Sequence, residues 1–140
     1  MQHNPEHLFV YGTLRSDFHH PAHDTYISPY FELLGPARVK GKLYDLGEYP
    51  GAIATDDDSF ITGELYRLKK GADFAWAMAQ LDEYEGLNET PPLYLRDLVQ
   101  VHIVNQTMTT WIYWYNQPLK DETYIASGDV LQYERDKMNQ

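Results

Sequence analysis

Short apolar runs alternate with polar or glycine-containing segments along most of the 140-residue chain. Several of these runs are rich in β-branched and aromatic residues and are bounded by turn residues, which is typical of strands. On this pattern we predict strands at residues 8–11, 60–68, 94–104 and 109–115, with residues 105–108 as a short hairpin connection between the last two.

The stretch from Phe31 to Asp45 also alternates, but Gly35, Pro36 and Gly41 interrupt it. This pattern predicts one bent strand with bulges, and curvature of that kind suits a small barrel. Residues 46–51 and 56–59 have the composition of turns.

One segment has helical periodicity. In residues 72–84 the apolar side chains recur at three- and four-residue spacing, and only Asp82 interrupts that face. We predict that the helix stops at Gly86, just past its end. For residues 16–29 we predict a loop that includes a short helix at some point. The tail after Asn116 is mostly polar. The sum is an α+β pattern within a single domain, residues 1–140.

Composition narrows the function classes. The chain has no Cys, which excludes disulfides and thiolate chemistry, and a cytoplasmic location is the default expectation. It has neither a secretory leader pattern nor an apolar run long enough to span a membrane. Its formal charge of -10 disfavours nucleic acid and anionic lipid as partners.

Two segments carry candidate chemistry. After the first strand, the chain passes through Gly12 toward Arg15, and backbone N–H groups in such a turn can bind an anion that the Arg side chain would reinforce. Gly12 could equally serve only a tight turn, with Arg15 on the surface. Later, Asp82, Glu83 and Glu85 lie at the helix end, where partial burial would make a carboxylate a better base, although most such carboxylates are solvated.

Metal and nucleotide chemistry have little support. His19, His20 and His23 lie close together, but they lack the spacing of a helical zinc motif and have no Cys partner, so we expect no metal site. The run Asp56–Asp58 lacks the later Gly and Glu of a calcium loop. No nucleophile-elbow, dinucleotide or Walker-type sequence occurs.

Six motifs in order resemble one known family. They are Phe9–Arg15 (FVYGTLR), Leu34–Ala37 (LGPA), Gly41–Gly51 (GKLYDLGEYPG), Gly63–Tyr66 (GELY), Leu81–Gly86 (LDEYEG) and Tyr94–Arg96 (YLR). Their order and spacing resemble the gamma-glutamylcyclotransferase-like, or AIG2-like, family across nearly the whole chain. The tail Ile125–Val130 also resembles the family's ending, with Val130 where an aromatic residue is common.

This resemblance implies a small mixed β-barrel flanked by helices. It also implies release of a γ-glutamyl group as 5-oxoproline, without metal or other cofactor. By position, Tyr11, Gly12, Thr13 and Leu14 would bind the substrate's α-carboxylate, and Glu85, not Glu83, would be the catalytic base.

Tyr115 stands near the end of the last clear strand, where it would line the cavity or simply pack in the sheet. The favoured partner is therefore a small γ-glutamyl compound, with the leaving amine and the oligomeric state left open. The alternative is a carboxylate-binding or regulatory module of the same fold without turnover, since fold alone does not fix function.

Overall fold

The computed structural model describes residues 5–139, which form two β-sheets and two α-helices. The strands and α-helices are β1 (His7–Val10), β2 (Phe31–Lys40), β3 (Lys42–Asp45), β4 (Pro50–Ile53), β5 (Phe60–Leu68), α1 (Phe74–Tyr84), β6 (Tyr94–Ile103), β7 (Gln106–Tyr115), β8 (Thr123–Ile125) and α2 (Val130–Met138). A short 3₁₀ helix (Ser16–Phe18) and a short π-helix (His23–Ile27) lie between β1 and β2. The α+β class is confirmed. Among the described residues, no helix has the length and apolar character needed to cross a membrane.

Five strands close into a barrel in the order β1-β5-β2-β6-β7. The barrel closes where β1 runs parallel to β7, with Leu8 opposite Trp111, whereas the other neighbouring strands are antiparallel. A three-stranded sheet, in the order β4-β3-β8, stands beside it. The small mixed barrel with flanking helices is thereby confirmed.

Strand β1 is buried on both faces. Leu8 and Val10 belong to the same apolar cluster as Met78 of helix α1, whereas Phe9 belongs to a second cluster with Leu65 of β5. A strand covered on both sides needs a continuous apolar run, which explains why this segment does not alternate. Its firm burial fixes the point from which the next residues, 11–14, leave the sheet.

The single bent strand predicted for Phe31–Asp45 is wrong, because the chain forms two strands that belong to different sheets. β2 pairs with β5 and β6, whereas β3 pairs with β4 and β8. Between them lies Gly41, where a Cβ would come within 2.5 Å of the Ile61 side chain. The predicted bulge does occur, as a register shift between Leu33 and Gly35. The alternation of apolar and polar residues correctly predicted which side chains are buried. It did not predict that the chain changes from one sheet to the other.

Two predicted turns are shorter than expected. Residues 46–51 were expected to form a turn throughout, but Pro50 and Gly51 already belong to β4. Between β6 and β7 the turn consists of Val104 and Asn105 alone, and Asn105 has a positive φ of 61°. Asn tolerates this conformation better than most residues, so the strand resumes at Gln106.

The tail is more ordered than its polar composition suggested. The buried Ile125 anchors the three-residue strand β8 against β3. Asp129 then caps α2, accepting hydrogen bonds from the N–H groups of Leu131 and Gln132. A short side-chain cap of this kind satisfies N–H groups at a helix start, which allows a mostly polar helix to begin there.

Helix α1 confirms the predicted helix with a later start. Asp73 caps it by accepting a hydrogen bond from the N–H of Trp76. Its buried residues include Met78 and Leu81 as expected, whereas Ala75 faces solvent. Gly86 follows the helix with φ +74°, which fits the predicted glycine stop.

Gly63 of β5 leaves room for the end of β1, which lies against it. A Cβ at this position would overlap the Val10 carbonyl oxygen and lie 2.7 Å from the Phe9 ring. We expect Gly63→Ala to lower the free energy of unfolding by about 3 kcal/mol, the upper end for overpacking, because backbone must move. Urea unfolding measures this change.

Gly71→Ala is a matched control for that experiment. Gly71 has φ +87° and open space around its Cα, so its replacement tests backbone conformation without steric overlap. Equal stability losses in the two variants would contradict the steric explanation.

Candidate active site

The end of helix α1 positions Glu85. The helix closes with hydrogen bonds from Glu85 N–H to the Leu81 carbonyl, 2.8 Å, and from Leu87 N–H to the Asp82 carbonyl, 2.9 Å. The positive φ of Gly86 makes this closure possible, since a residue with a Cβ would be strained there. Glu85 is therefore held by backbone on both sides, and its orientation does not depend on a flexible loop.

Glu85 lines a cavity of about 270 Å³ between the end of β1, the end of α1 and the segment before β4. The predicted binding residues Tyr11 to Leu14 line the same cavity. The full set is Phe9, Val10, Tyr11, Gly12, Thr13, Leu14, Tyr49, Pro50, Tyr84, Glu85, Leu93, Tyr94 and Tyr113. The fold thus brings together two segments that are about 70 positions apart in the sequence.

The environment of Glu85 favours its protonated form. Burial is the main cause, the nearby Asp82 carboxylate is the second, and together they raise the pKa of Glu85 to about 8. No hydrogen bond within residues 5–139 reaches the Glu85 carboxyl oxygens. An unpaired carboxyl facing a cavity, with a pKa near neutrality, is suited to proton transfer.

Three tyrosine hydroxyls around the cavity donate their hydrogen bonds to oxygen atoms of the protein and not into the cavity. Tyr11 donates to the Tyr113 carbonyl at 2.7 Å, Tyr94 donates to the Pro50 carbonyl at 2.8 Å, and Tyr113 donates to the Asp82 carboxylate at 2.7 Å. Burial raises the pKa of each of these hydroxyls, and the charge of Glu85 adds to the effect. They stay protonated, so the rings line the cavity as neutral groups.

The Tyr11–Leu14 loop offers free backbone donors. The Arg15 N–H closes a turn on the Gly12 carbonyl at 3.0 Å, but the N–H groups of Gly12, Thr13 and Leu14 donate to no acceptor within the described residues. Gly12 also sits tightly, since a Cβ there would lie 2.9 Å from the Pro50 ring. Unpaired N–H groups at a cavity wall can bind an anionic oxygen.

Arg15 does not reinforce this loop as an anion ligand. Its buried guanidinium forms ion pairs with Asp17 at 2.8 Å and Asp129 at 3.0 Å, and it is absent from the cavity lining. The expectation that it helps to bind an anion is therefore corrected: it ties the loop to the start of α2. The sequence could not show this, because Asp129 lies 114 positions away.

The buried Glu64 holds the loop from the other side. Its carboxylate accepts hydrogen bonds from the Ser16 N–H and the Ser16 hydroxyl, both at 2.6 Å, and from the Tyr66 hydroxyl at 2.9 Å. Each of these donors is fixed by β5 or by the chain next to the loop. Arg15 and Ser16 together therefore anchor the chain immediately after Leu14.

The structure also places the remaining candidates. Tyr115 is not among the cavity-lining residues; its ring packs edge-on against Tyr94, with centroids 5.6 Å apart, which favours the sheet role. Glu83 is exposed and outside the cavity. Within residues 5–139 no group of three or more possible metal ligands forms, and the His23 ring instead contacts the Leu14 carbonyl at 2.8 Å.

Sequence reasoning missed several wall residues. Tyr49, Tyr84, Leu93, Tyr94 and Tyr113 line the cavity but were not named as site residues. Four of them are aromatic, and a surplus of Tyr was the available signal. A surplus of Tyr is equally typical of sheet packing, so it could not identify which tyrosines line the cavity.

Together, the barrel and the cavity that Glu85 lines define a small α+β protein with a candidate active site. A family model described as "Gamma-glutamyl cyclotransferase, AIG2-like" matches residues 8–132. The chain belongs to this family, which confirms the resemblance drawn from its motifs, and it is a gamma-glutamylcyclotransferase-like enzyme.

Named relatives agree with this assignment. The chain is 32% identical over 131 residues to the gamma-glutamylcyclotransferase family protein YtfP of Escherichia coli K12, covering 93% of this chain and 98% of YtfP. It is also 32% identical over 127 residues to the gamma-L-glutamyl-butirosin B gamma-glutamyl cyclotransferase of Niallia circulans, covering 90% and 76% of the two chains.

The fold has a solved counterpart in YkqA from Bacillus subtilis. The two structures align with a TM-score of 0.73 at 26% identity, covering 98% of this chain. The alignment spans only 44% of YkqA, so the present chain corresponds to less than half of that protein.

Proposed function

We propose that the protein cyclises the γ-glutamyl group of a small γ-glutamyl amine or amino acid, releasing 5-oxoproline and the free amine. Glu85 acts as general base and then as general acid, and the loop Tyr11–Leu14 binds the α-carboxylate. The observation that carries this proposal is the unpaired Glu85 carboxyl facing the same cavity as the free N–H groups of the loop. Family membership supports the reaction class.

The reaction needs only parts that this chain supplies. The substrate's α-amine arrives as an ammonium, so Glu85 must accept a proton before the nitrogen can attack the γ-carbonyl carbon. The new C–N bond closes the five-membered ring, the bond to the leaving nitrogen breaks, and the proton held by Glu85 passes to that nitrogen. The ring nitrogen gives up its second proton to the released amine, which leaves as an ammonium, and the lactam N–H of 5-oxoproline remains. Atoms and charge balance without an added cofactor.

Orientation supplies much of the acceleration. Ring closure is intramolecular, and fixing the α-carboxylate limits the conformations of the glutamyl chain to those that place the amine near the γ-carbonyl. Backbone donors suit this role because helix α1, Glu64 and the ion pairs of Arg15 hold the surrounding segments in place.

The test is release of 5-oxoproline from a panel of γ-glutamyl amino acids, γ-glutamyl amines and γ-glutamyl-ε-lysine. Release from at least one compound is the expected result. Thermal stabilisation by these compounds without any 5-oxoproline would instead indicate the carboxylate-binding module, since a ligand that binds only the folded state raises its melting temperature.

The pH dependence follows from the raised pKa of Glu85. A general base must be unprotonated, so kcat/KM should increase with pH and level off above about 8. Bound substrate places an ammonium beside the carboxylate and lowers its pKa, so the corresponding limb of kcat should lie at lower pH. Rate profiles from pH 5 to 10 measure both limbs, and a kcat/KM limb near the ordinary glutamate value would contradict the assignment.

A further inference from the structure

Asp82 lies in the last turn of α1, three residues before Glu85, but it does not line the cavity. Residues three apart are neighbours on the same side of a helix. The side chain of Asp82 is only 19% exposed, so water screens its charge only in part. Asp82 is therefore close to Glu85 without reaching the contents of the cavity.

Two strands of the barrel supply partners for the Asp82 carboxylate. Arg96 of β6 donates from Nη2 to Oδ2 at 3.1 Å and brings Nε to 3.1 Å from Oδ1, so the pair is bidentate. Tyr113 of β7 donates its hydroxyl to Oδ1 at 2.7 Å. The Arg96 guanidinium also lies over the Trp111 ring, 4.8 Å from its centroid. The barrel thus fixes the direction of the carboxylate.

The same network reaches the binding loop. Tyr113 lines the cavity, and its carbonyl accepts a hydrogen bond from the Tyr11 hydroxyl at 2.7 Å. Asp82, Tyr113 and Tyr11 therefore form a continuous series of hydrogen-bonded residues from helix α1 to the start of the loop. Asp82 thereby helps to fix the distance between Glu85 and the N–H groups of the loop.

Asp82 and Arg96 also dominate the charge around Glu85. After burial, the Asp82 carboxylate is the second cause that raises the pKa of Glu85, and the Arg96 guanidinium partly neutralises that carboxylate. Glu83 and Glu89 lie nearby in the chain but are exposed, so water screens their charges. A phenol carries no charge at neutral pH. The other titratable residues that line the cavity are all phenols: Tyr11, Tyr49, Tyr84, Tyr94 and Tyr113.

We propose that Asp82 is a positioning residue for the reaction: with Arg96 it sets the charge next to Glu85, and through Tyr113 it holds the wall between Glu85 and the loop. This inference rests on the proposed function and extends it to two residues that do not line the cavity. A purely structural ion pair would hold α1 against the barrel without affecting proton transfer at Glu85.

Two single substitutions should move the pH dependence in opposite directions. Asp82→Asn keeps an oxygen for the Tyr113 hydroxyl but removes the negative charge, so the limb of kcat/KM near pH 8 should move down by about one pH unit. Its plateau should fall several-fold, because a weaker base accepts a proton less readily. Arg96→Gln removes the neutralising positive charge, so the limb should move up.

Two controls separate charge from structure. Arg96→Lys keeps the positive charge but loses the bidentate geometry, and its limb should stay near that of the wild type. Glu83→Gln removes an exposed charge from the same helix and should leave the limb unmoved. If Asp82→Asn and Arg96→Gln lower the rate without moving the limb, or move it in the same direction, the pair is a structural contact and the proposal is overturned.

A carbon-13 NMR titration of labelled glutamate carboxyls gives a readout that needs no turnover. The Glu85 signal is the one absent from Glu85→Gln, and its midpoint should move down in Asp82→Asn and up in Arg96→Gln. Either variant alone tests the direction of the shift if the other fails to fold. These shifts without 5-oxoproline release would overturn the cyclisation and leave the electrostatic role of Asp82 standing. Release of 5-oxoproline with an unmoved Glu85 midpoint would overturn this inference and leave the cyclisation intact.

Discussion

Replacing Glu85 by Gln should lower kcat for 5-oxoproline release by about 10²–10⁴-fold, the usual range for losing a general acid or base. Gln keeps the size and polarity of Glu but cannot accept a proton from the substrate's ammonium. Helix α1 and Gly86 hold this position through backbone contacts that the substitution leaves unchanged. The loss should therefore be chemical and not conformational.

Glu83→Gln is the matched control, because Glu83 lies two residues earlier, is exposed and does not reach the cavity. It should retain the wild-type rate and the wild-type pH profile. Comparable losses in both variants would mean that charge at the helix end matters in general, and wild-type turnover in the Glu85 variant would remove it from the mechanism.

Substrate binding separates the two roles within the site. If the free N–H groups of the Tyr11–Leu14 loop hold the α-carboxylate, the Glu85→Gln variant should still bind the intact substrate, with KM changed far less than kcat. Calorimetric titration of the inactive variant measures that affinity directly, without consuming the ligand.

The sequence predicted most of this site because its two halves are locally encoded. An apolar strand that ends at Gly12 predicts a turn with free N–H groups, and a periodic helix that ends at Gly86 predicts where Glu85 emerges. Each feature depends on a few neighbouring residues. Their meeting at one cavity was implied only by family resemblance, since the strands between them pair over long sequence distances.

The errors have the opposite origin. Arg15 pairs with Asp129, and the tail forms β8 and α2 because Ile125 and Asp129 meet partners far earlier in the chain. Likewise, the continuous alternation through Gly41 concealed a change of sheet. Local patterns record which side chains are buried but not which segment covers them, so contacts of this kind have no signature in one sequence.

The partly buried carboxyl should also make Glu85 a source of instability at high pH. Its pKa is about 8 in the folded protein and near 4.5 when unfolded, so between these values the folded state binds more protons. Stability contributed by the protonated form is therefore fully present below about pH 4.5 and is lost as the pH rises to 8. The shift corresponds to a loss on the order of 3–5 kcal/mol.

Glu85→Gln removes this penalty because its side chain stays neutral at every pH. At pH 9 the variant should be more stable than the wild type by several kcal/mol, equivalent to about 10 °C or more in melting temperature for a domain of this size. At pH 5, where the wild-type carboxyl is protonated in the folded state, the two proteins should differ little.

Chemical denaturation at pH 5, 7 and 9 measures the effect, and Glu83→Gln, whose side chain is exposed, again serves as control because it should show no pH-dependent gain. An equal difference between wild type and the Glu85 variant at all three pH values would contradict a raised pKa. The expected result is that the stability gain of Glu85→Gln over the wild type increases with pH, although the variant has lost turnover. The same partly desolvated carboxyl then both drives the reaction and destabilises the folded state, as expected of a site adapted to proton transfer.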